Sequence, residues 1–365
     1  MEKGEQYAEN TYSFNGNRNI KGQKTVRLNM KCDKNIPMDA VTKTSLSDEM
    51  IRQITCATIG ASTVVQSIKR LSGGFCSAVY LVETQQDKLV LKVGTNTNVK
   101  VMRHEVQYIA TEAKMLKEIG EKTDILMPKL IAYDDSKTIV DVPYFFMSYL
   151  DGTPLNNCGK LSETRRNEIY NQIGRITRAI CNIPAECFGI PLIPESYCSK
   201  NSEFVNLLFD WLLLDAEEER ISIPYLHPDD LRRLIQNCAA ELDSAEKPVL
   251  AHTDTWAGNI MVRNGQFAGL VDYAAIYYGD PLLSHDFHDF GASPNPWFLR
   301  GYGKEMFDAD EQVRIQVYRI WQRLGMVVER GYRKYKDSHL YDWVLPETEK
   351  EIRMLEEMRK RSHSL

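Results

Sequence analysis

One short β-rich segment, residues 250–281, does most to constrain what this chain can fold into. Two runs rich in apolar residues, 260–262 and 267–271, flank Asn264-Gly265, a pair that is typical of a two-residue hairpin turn. Much of the sequence on either side carries apolar residues at helical spacing instead. The pattern therefore predicts a tight antiparallel hairpin inserted into a helical half of the chain.

Three polar side chains lie at the outer ends of this hairpin. Asn259 precedes its first strand, Asp272 follows its second, and Asp254 lies in the loop that enters it. Because paired strands lie about 5 Å apart, we expect Asn259 and Asp272 side by side, with oxygen ligands of the kind that Mg²⁺ prefers. Asp254 could orient a hydroxyl nucleophile and accept its proton. Each residue alone is a common loop former, but the ordered combination predicts metal-assisted phosphoryl transfer.

The preceding part of the chain has the pattern of an antiparallel meander. Runs rich in β-branched and aromatic residues predict strands over Val64–Leu71, Ala78–Thr84, Leu89–Val93, 129–133 and 144–149. Gly73 and Gly74 separate the first two strands, where their bare backbone amides could approach phosphate oxygens. A glycine pair between strands is also what an ordinary turn requires, so this signal is weak by itself.

A single charged residue, Lys92, lies within an otherwise apolar strand. It is either a solvated surface residue or a lysine that contacts phosphate. The second interpretation requires a carboxylate partner, which Glu112 in the following helical pattern can supply.

Helical periodicity dominates after Gly152. Apolar stripes predict helices over 163–183, 203–214, 228–243, 309–335 and 347–361, in addition to helices near 47–60 and 101–119. We therefore predict an α+β protein with a small β-rich lobe over 41–150, a larger helical lobe over 151–365, and a ligand cleft between them. Residues 1–40 are polar and lack apolar periodicity, which predicts a disordered extension.

Composition limits the classes of function. The formal charge of −5 for 365 residues argues against a dedicated nucleic-acid binder, which would normally show a basic face. The eight cysteines include no C-x-x-C pair, and no signal-peptide or membrane-spanning pattern is present. We expect a cytoplasmic protein with reduced thiols and no membrane partner. The oligomeric state stays open.

The catalytic segment has a recognisable order of motifs. His252-Thr253-Asp254 with Asn259 resembles an H-G-D-x-x-x-x-N loop, Val271-Asp272 resembles the metal motif that follows it, and Gly279-Asp280-Pro281 completes the set. On these residues the sequence resembles the aminoglycoside phosphotransferase and choline kinase superfamily. That resemblance implies a bilobal protein-kinase-like fold and the activity of a small-molecule kinase.

The resemblance also implies roles at individual positions. Asp254 is expected to be the catalytic aspartate, and His252 to brace its loop. The implied nucleotide and metal contacts are Gly73 and Gly74 in the glycine loop, Lys92 on the α and β phosphates, Glu112 paired with Lys92, the Ser148 carbonyl and Leu150 amide in a hinge, and Asn259 and Asp272 on Mg²⁺.

Two departures from the family pattern stand out, and one spacing bears on the acceptor. Thr253 replaces the usual glycine, and we expect its side chain to point away from substrate. Ser284 occupies a position that is often aspartate, and Asp286 comes two residues later, with no role carried over to it. Asp272 and Gly279 are too close for a long activation loop, which favours a small-molecule acceptor over a protein.

The function expected from the sequence is a Mg-dependent kinase that transfers the γ-phosphate of ATP or GTP to a hydroxyl of an aminoglycoside-like or other amine-bearing, cationic acceptor. The alternatives are a metabolic kinase of the fructosamine or choline kinase type, and a nucleotide-binding module with little catalysis. Acidic and aromatic residues of the helical part are candidates for the acceptor pocket or, equally, for core packing: Asp289, Trp297, Phe298, Tyr302 and Glu305.

Overall fold

The computed structural model describes residues 40–71, 76–96, 98–288, 294–335 and 342–362. Its first part, the small lobe, contains in chain order α1 (Asp48–Ile59), β1 (Val65–Arg70), β2 (Ala78–Thr84), β3 (Lys88–Val93), α2 (Tyr108–Lys122), β4 (Leu130–Asp134) and β5 (Tyr144–Ser148). The five strands form one antiparallel sheet in the order β1-β2-β3-β5-β4. The predicted meander of β1, β2 and β3 is confirmed, and β5 lies between β3 and β4. Gly73, Gly74 and residues 1–39 lie outside the described residues.

The second part, the large lobe, is mostly helical. Its elements are β6 (Thr153–Pro154), α3 (Glu163–Cys181), β7 (Phe188–Ile190), β8 (Ile193–Cys198), α4 (Asn201–Glu218), α5 (Pro228–Gln236), α6 (Ala239–Asp243), β9 (Val249–His252), β10 (Ile260–Arg263), β11 (Gln266–Leu270), β12 (Ile276–Gly279), α7 (Pro296–Tyr302), α8 (Ala309–Arg333) and α9 (Val344–Ser362). Two small sheets, β11-β10-β6 and β8-β7-β12-β9, lie among these helices. None of the described helices is long and apolar enough to cross a membrane.

The predicted hairpin is present. Strands β10 and β11 pair antiparallel around Asn264 and Gly265, whose φ angles of 54° and 72° are the left-handed values that a type I′ turn requires. The β7–β8 hairpin was not predicted, because β7 is only three residues long and contains Gly189, so no alternating pattern marks it.

Helix α2 begins later than the sequence pattern indicated. The pattern predicted a helix from residue 101, but Arg103–Glu105 form a 3₁₀ turn and the α-helix starts at Tyr108. The backbone N–H of Arg103 donates to Asp215 of α4 at 3.0 Å, and its guanidinium pairs with the same carboxylate. These contacts with the large lobe hold residues 103–105 outside the regular helix.

The sheet of the small lobe is buried on both faces, which explains why β3 and β5 are almost continuously apolar. Leu89, Leu91 and Val93 pack with α1 in one core, whereas Val90 packs with α2 and the large lobe in the main core. Because side chains alternate along a strand, Lys92 shares the face of Val90. The sheet therefore points this lysine toward the cleft.

Two helices of the large lobe pack backbone against backbone. A Cβ added at Gly174 of α3 would lie 2.1 Å from the carbonyl oxygen of Phe298, and one at Gly301 of α7 would lie 2.0 Å from that of Asn171. Helix α7 can approach α3 this closely only because both positions lack a side chain.

We expect Gly174→Ala to lower the free energy of unfolding by about 2 kcal/mol or more, because the methyl group would force α3 and α7 apart. Gly120→Ala is the matched control, since Gly120 lies in α2 with no atom within 4 Å of the added Cβ. That control should raise stability by about 0.5–1 kcal/mol. Urea denaturation measures both changes, and equal effects of the two substitutions would contradict the close packing.

Candidate active site

The loop between β9 and β10 is fixed to the sheet at its start. The backbone N–H of Asp254 donates to Nδ1 of His252 at 3.2 Å, and Thr253 donates from both its N–H and its hydroxyl to the carbonyl of Ala275 at 2.9 and 3.0 Å. The Thr253 side chain is therefore hydrogen-bonded to the segment before β12.

Asn259 ties the end of this loop to Asp254. Its Nδ2 donates to the Asp254 carbonyl at 2.8 Å and to Oδ2 of the carboxylate at 2.9 Å. The amide oxygen of Asn259 is thereby turned to the other side of the group. The backbone N–H of Val271 donates to the Asn259 carbonyl at 3.0 Å, which places Asp272 beside it.

Lys92 joins three elements at the cleft. Its Nζ lies 2.5 Å from Oε2 of Glu112 on α2 and 2.9 Å from Oδ1 of Asp272 after β11. Lys92 is 6% exposed and Glu112 is fully buried. The structure thus brings together the lysine, its predicted carboxylate partner and a predicted metal ligand.

The two aspartates have opposite electrostatic surroundings. Burial and the Asp272 carboxylate raise the pKa of Asp254 well above its usual range, and Glu329 of α8 adds to this effect. Burial also opposes ionisation of Asp272, but the Lys92 ammonium outweighs it and lowers the pKa of Asp272. For Lys92 burial favours the neutral form, yet Asp272 and Glu112 raise its pKa and keep it charged.

His252 is buried beneath the loop between β9 and β10, residues 253–259, which is called the catalytic loop below. It is 1% exposed, and burial lowers its pKa to about 4. A neutral imidazole that accepts a hydrogen bond from the Asp254 backbone fits the bracing role expected for it.

The predicted hinge follows β5. The N–H of Ser148 donates to the carbonyl of Lys129, and the Ser148 hydroxyl accepts from the N–H of Lys129, both at 2.9 Å. Within the described part of the chain the N–H of Leu150 donates no hydrogen bond. A Cβ at Gly269 of β11 would lie 2.5 Å from a methyl of Leu150, so β11 passes directly beside the hinge.

Asp280 and Asp286, two aspartates after β12, form different contacts. Asp280 pairs with Arg314 at 2.8 Å and accepts from the Tyr318 hydroxyl at 2.9 Å, at the end of β12 opposite to Asp254. Asp286 instead accepts a hydrogen bond from the Thr255 hydroxyl within the catalytic loop. Asp286 lies in the second of two short 3₁₀ turns, Pro281–Leu283 and His285–Phe287, and its spacing from Gly279-Asp280-Pro281 differs from the family pattern. The spacing of residues along the sequence therefore assigned it no role.

The residues considered for the acceptor pocket differ in burial and position. Phe298 is fully buried with its ring 5.1 Å from that of Phe287, and Tyr302 lines a cavity of about 260 Å³ beside Asp280. Trp297 and Glu305 are exposed, and Asp289 lies outside the described residues. The acidic residue of α8 that acts on Asp254 is Glu329, which the sequence pattern did not single out. Only the three-dimensional structure brings its charge near Asp254.

Similarity to known proteins identifies the family of the chain. A model of the phosphotransferase enzyme family matches residues 67–314, more than half of the chain. The chain belongs to the phosphotransferase enzyme family. It is a phosphotransferase that acts on a hydroxyl group, and the family expected from the sequence is confirmed.

Individual relatives agree with this assignment. The chain is 25% identical to a probable ketoamine kinase of Staphylococcus aureus over 304 residues, which are 78% of this chain and 95% of the relative. It is similar in fold to a candidate fructosamine-3-kinase from Haemophilus somnus, with a TM-score of 0.62, 15% identity and coverage of 84% and 96% of the two chains. It is also similar to APH(2″)-IIa in a ternary complex with streptomycin and ATP, with a TM-score of 0.54, 16% identity and the same coverage. The bilobal kinase-like fold is thereby confirmed.

The contact between Thr255 and Asp286 generates a prediction. Thr255→Val keeps the shape of the side chain but removes the hydroxyl, so the catalytic loop loses its tie to Asp286. We expect phosphate transfer to slow about tenfold to a hundredfold, because small displacements of a reacting group are costly, while nucleotide affinity stays within about twofold. Thr255→Ser retains the hydroxyl and should keep nearly full activity. Equal rates for both variants in a steady-state assay would show that this contact does not position the loop.

Proposed function

We propose that the protein transfers the γ-phosphate of ATP or GTP, with Mg²⁺, to a hydroxyl of an amine-bearing sugar derivative. The observation that carries this proposal is the convergence of Asp254, Asn259, Asp272, Lys92 and Glu112 at one cleft. These are the residue types that in-line phosphoryl transfer requires, at the positions expected for them.

The nucleotide is held from the small lobe in this proposal. The Lys92 ammonium, aligned by Glu112, neutralises the α and β phosphates, and the purine lies against the hinge. The N–H of Leu150, which donates to no acceptor among the described residues, is available to it. The APH(2″)-IIa complex with streptomycin and ATP supports a nucleotide in a fold of this type. ATP and GTP both suit a hinge that contacts the purine through its backbone.

The residues present fit Mg²⁺. Asp272 offers a carboxylate of lowered pKa, and the Nδ2 of Asn259 is committed to Asp254, which leaves its amide oxygen to act as a second ligand. One or two protein oxygens completed by nucleotide phosphates are the usual protein share of a magnesium site. When bound, the cation would neutralise charge on the transferred phosphate.

Asp254 acts on the acceptor. The acceptor hydroxyl donates to its carboxylate, which is oriented by one hydrogen bond from Asn259, while a second bond from Asn259 holds the Asp254 backbone carbonyl. As the hydroxyl oxygen forms its bond to the γ-phosphorus, the bond to the β-γ bridging oxygen breaks, the nucleoside diphosphate leaves and the hydroxyl proton passes to Asp254. Positioning supplies most of the acceleration, since the reaction leaves little covalent work to the protein.

The acceptor is expected to carry an amine. The carboxylate of Glu329 on α8 adds negative charge to the surroundings of Asp254, and the Tyr335 hydroxyl donates to it at 3.3 Å. The probable ketoamine kinase of S. aureus and the candidate fructosamine-3-kinase support a ketoamine, a sugar joined to an amine, as the first acceptor to test. An aminoglycoside, suggested by the streptomycin complex, is the second. A silent nucleotide-binding module is disfavoured because every expected catalytic residue type is present.

The decisive experiment is nucleotide turnover with Mg²⁺, ATP or GTP, and a panel of ketoamines, amino sugars, aminoglycosides and choline. We expect one acceptor class to stimulate turnover, and Asp254→Ala to lower its kcat by about a thousandfold or more while Mg-nucleotide affinity stays near that of the wild type. Asp151→Ala, which removes an exposed carboxylate near the hinge, is the control. An Asp254→Ala variant that keeps most of its activity would exclude this residue as the catalytic aspartate.

Glu329→Gln tests the amine. Removal of the charge should raise the KM of a cationic acceptor about tenfold, as expected for one charge-assisted contact, and leave the KM of the nucleotide unchanged. Glu357→Gln on α9, an exposed carboxylate, is the control. If neutral and cationic acceptors respond equally to Glu329→Gln, the charge of Glu329 does not select for amines.

A further inference from the structure

Arg333, the last residue of α8, is a charged side chain of the large lobe that is buried against the small lobe. It is 1% exposed. Its Nη2 donates to Sγ of Cys76 at 2.9 Å and pairs with the carboxylate of Glu105. Both of these partners belong to the small lobe, so the guanidinium bridges the two lobes.

Each partner borders a segment with an expected nucleotide contact. Cys76 is the first described residue after the stretch that contains Gly73 and Gly74, and β2 begins two residues later. Glu105 ends the 3₁₀ turn that leads into α2, the helix that carries Glu112. One guanidinium therefore contacts the residue that leads into β2 and the entry to α2.

The contact has the chemistry of a fixed clamp. A guanidinium is planar and presents several donors at set angles, so it holds two acceptors at a defined separation in a way that a lysine ammonium does not. Burial alone would lower the pKa of Arg333, but the carboxylates of Glu105 and Glu329 raise it, so the group stays charged. Burial raises the pKa of the Cys76 thiol, which is therefore a neutral acceptor.

Other contacts already attach the α2 entry to the large lobe. Arg103 binds Asp215 through both its backbone and its side chain. The backbone carbonyl of Arg333 accepts from the N–H of Val41 at 3.0 Å, so the start of the small lobe is tied to the same helix end. The Arg333 side chain adds one further link, from α8 and Glu105 to Cys76, which precedes β2.

We propose that Arg333 is a positioning residue for the nucleotide, which sets the distance between the start of β2 and the entry to α2. This inference rests on the proposed function. A purely structural role would lower the fraction of folded enzyme and affect all substrates equally. A positioning role raises the KM of the nucleotide alone, because β2, which pairs with the β3 strand of Lys92, and α2, which carries Glu112, then shift while Asp254 and the acceptor side do not.

The experiment measures nucleotide KM, acceptor KM, kcat and melting temperature for the full chain and three variants. Cys76→Ala removes the hydrogen bond between Arg333 and Cys76 and leaves the ion pair of Arg333 and Glu105 intact. Arg333→Lys keeps the charge but loses the planar fork. The double variant Arg333→Met with Glu105→Gln removes both buried charges together, so that neither is left unpaired if the single change fails to fold. Cys238→Ala, a buried cysteine beside α6, is the matched control.

We expect nucleotide KM to rise about threefold to tenfold in Cys76→Ala and more in Arg333→Lys and the double variant, with acceptor KM and the kcat per folded enzyme within about twofold of the wild type. Cys238→Ala should keep the wild-type nucleotide KM. Wild-type nucleotide KM in Cys76→Ala and the double variant, or an equal rise for nucleotide and acceptor, overturns the positioning role alone. A wild-type protein that binds no Mg-nucleotide overturns the proposed function and this inference together.

Discussion

The buried ammonium of Lys92 is the interaction on which the arrangement of the site depends. A charge without partners at this depth would carry a large desolvation cost, and Lys92 is stabilised by Glu112 and Asp272. These three side chains come from β3, from α2 and from the end of β11. Their ion pairs therefore form only when the sheet, the helix and the hairpin are docked in one relative position, so the same contacts that stabilise the charge also align the groups proposed to hold phosphate and metal.

The position of Lys92 also separates the two aspartates in character. It lies against Asp272 and leaves Asp254 to the amide of Asn259, a weaker source of stabilisation for a carboxylate. One carboxylate is thereby kept ionised, as a metal ligand must be, and the other keeps a raised affinity for a proton, as a group that accepts a proton from a hydroxyl requires. The two proposed roles thus follow from the placement of a single cation.

The sequence was sufficient where the signal is local and insufficient where packing decides. The Asn264-Gly265 turn demands left-handed backbone, so the hairpin and the proximity of Asn259 and Asp272 could be predicted from a few residues. The start of α2 could not, because the contact of Arg103 with Asp215 overrides a helical pattern. The roles of Asp286 and Glu329 depend on which helix or turn lies beside the catalytic loop, and no spacing along the chain encodes that.

Helix α8 explains why the acceptor side and the nucleotide side cannot vary independently. The stretch of α8 from Arg314, at the ion pair with Asp280, to Arg333, at Cys76, spans about 29 Å. Glu329 and Arg333 are four residues apart and so lie on one face of this helix. In the proposed arrangement a substitution at Glu329 changes the charge offered to an acceptor without moving the helix, whereas any shift or rotation of α8 also displaces Arg333 from Cys76 and Glu105. A protein of this design is therefore expected to change its acceptor by exchanging side chains along α8 rather than by repacking it.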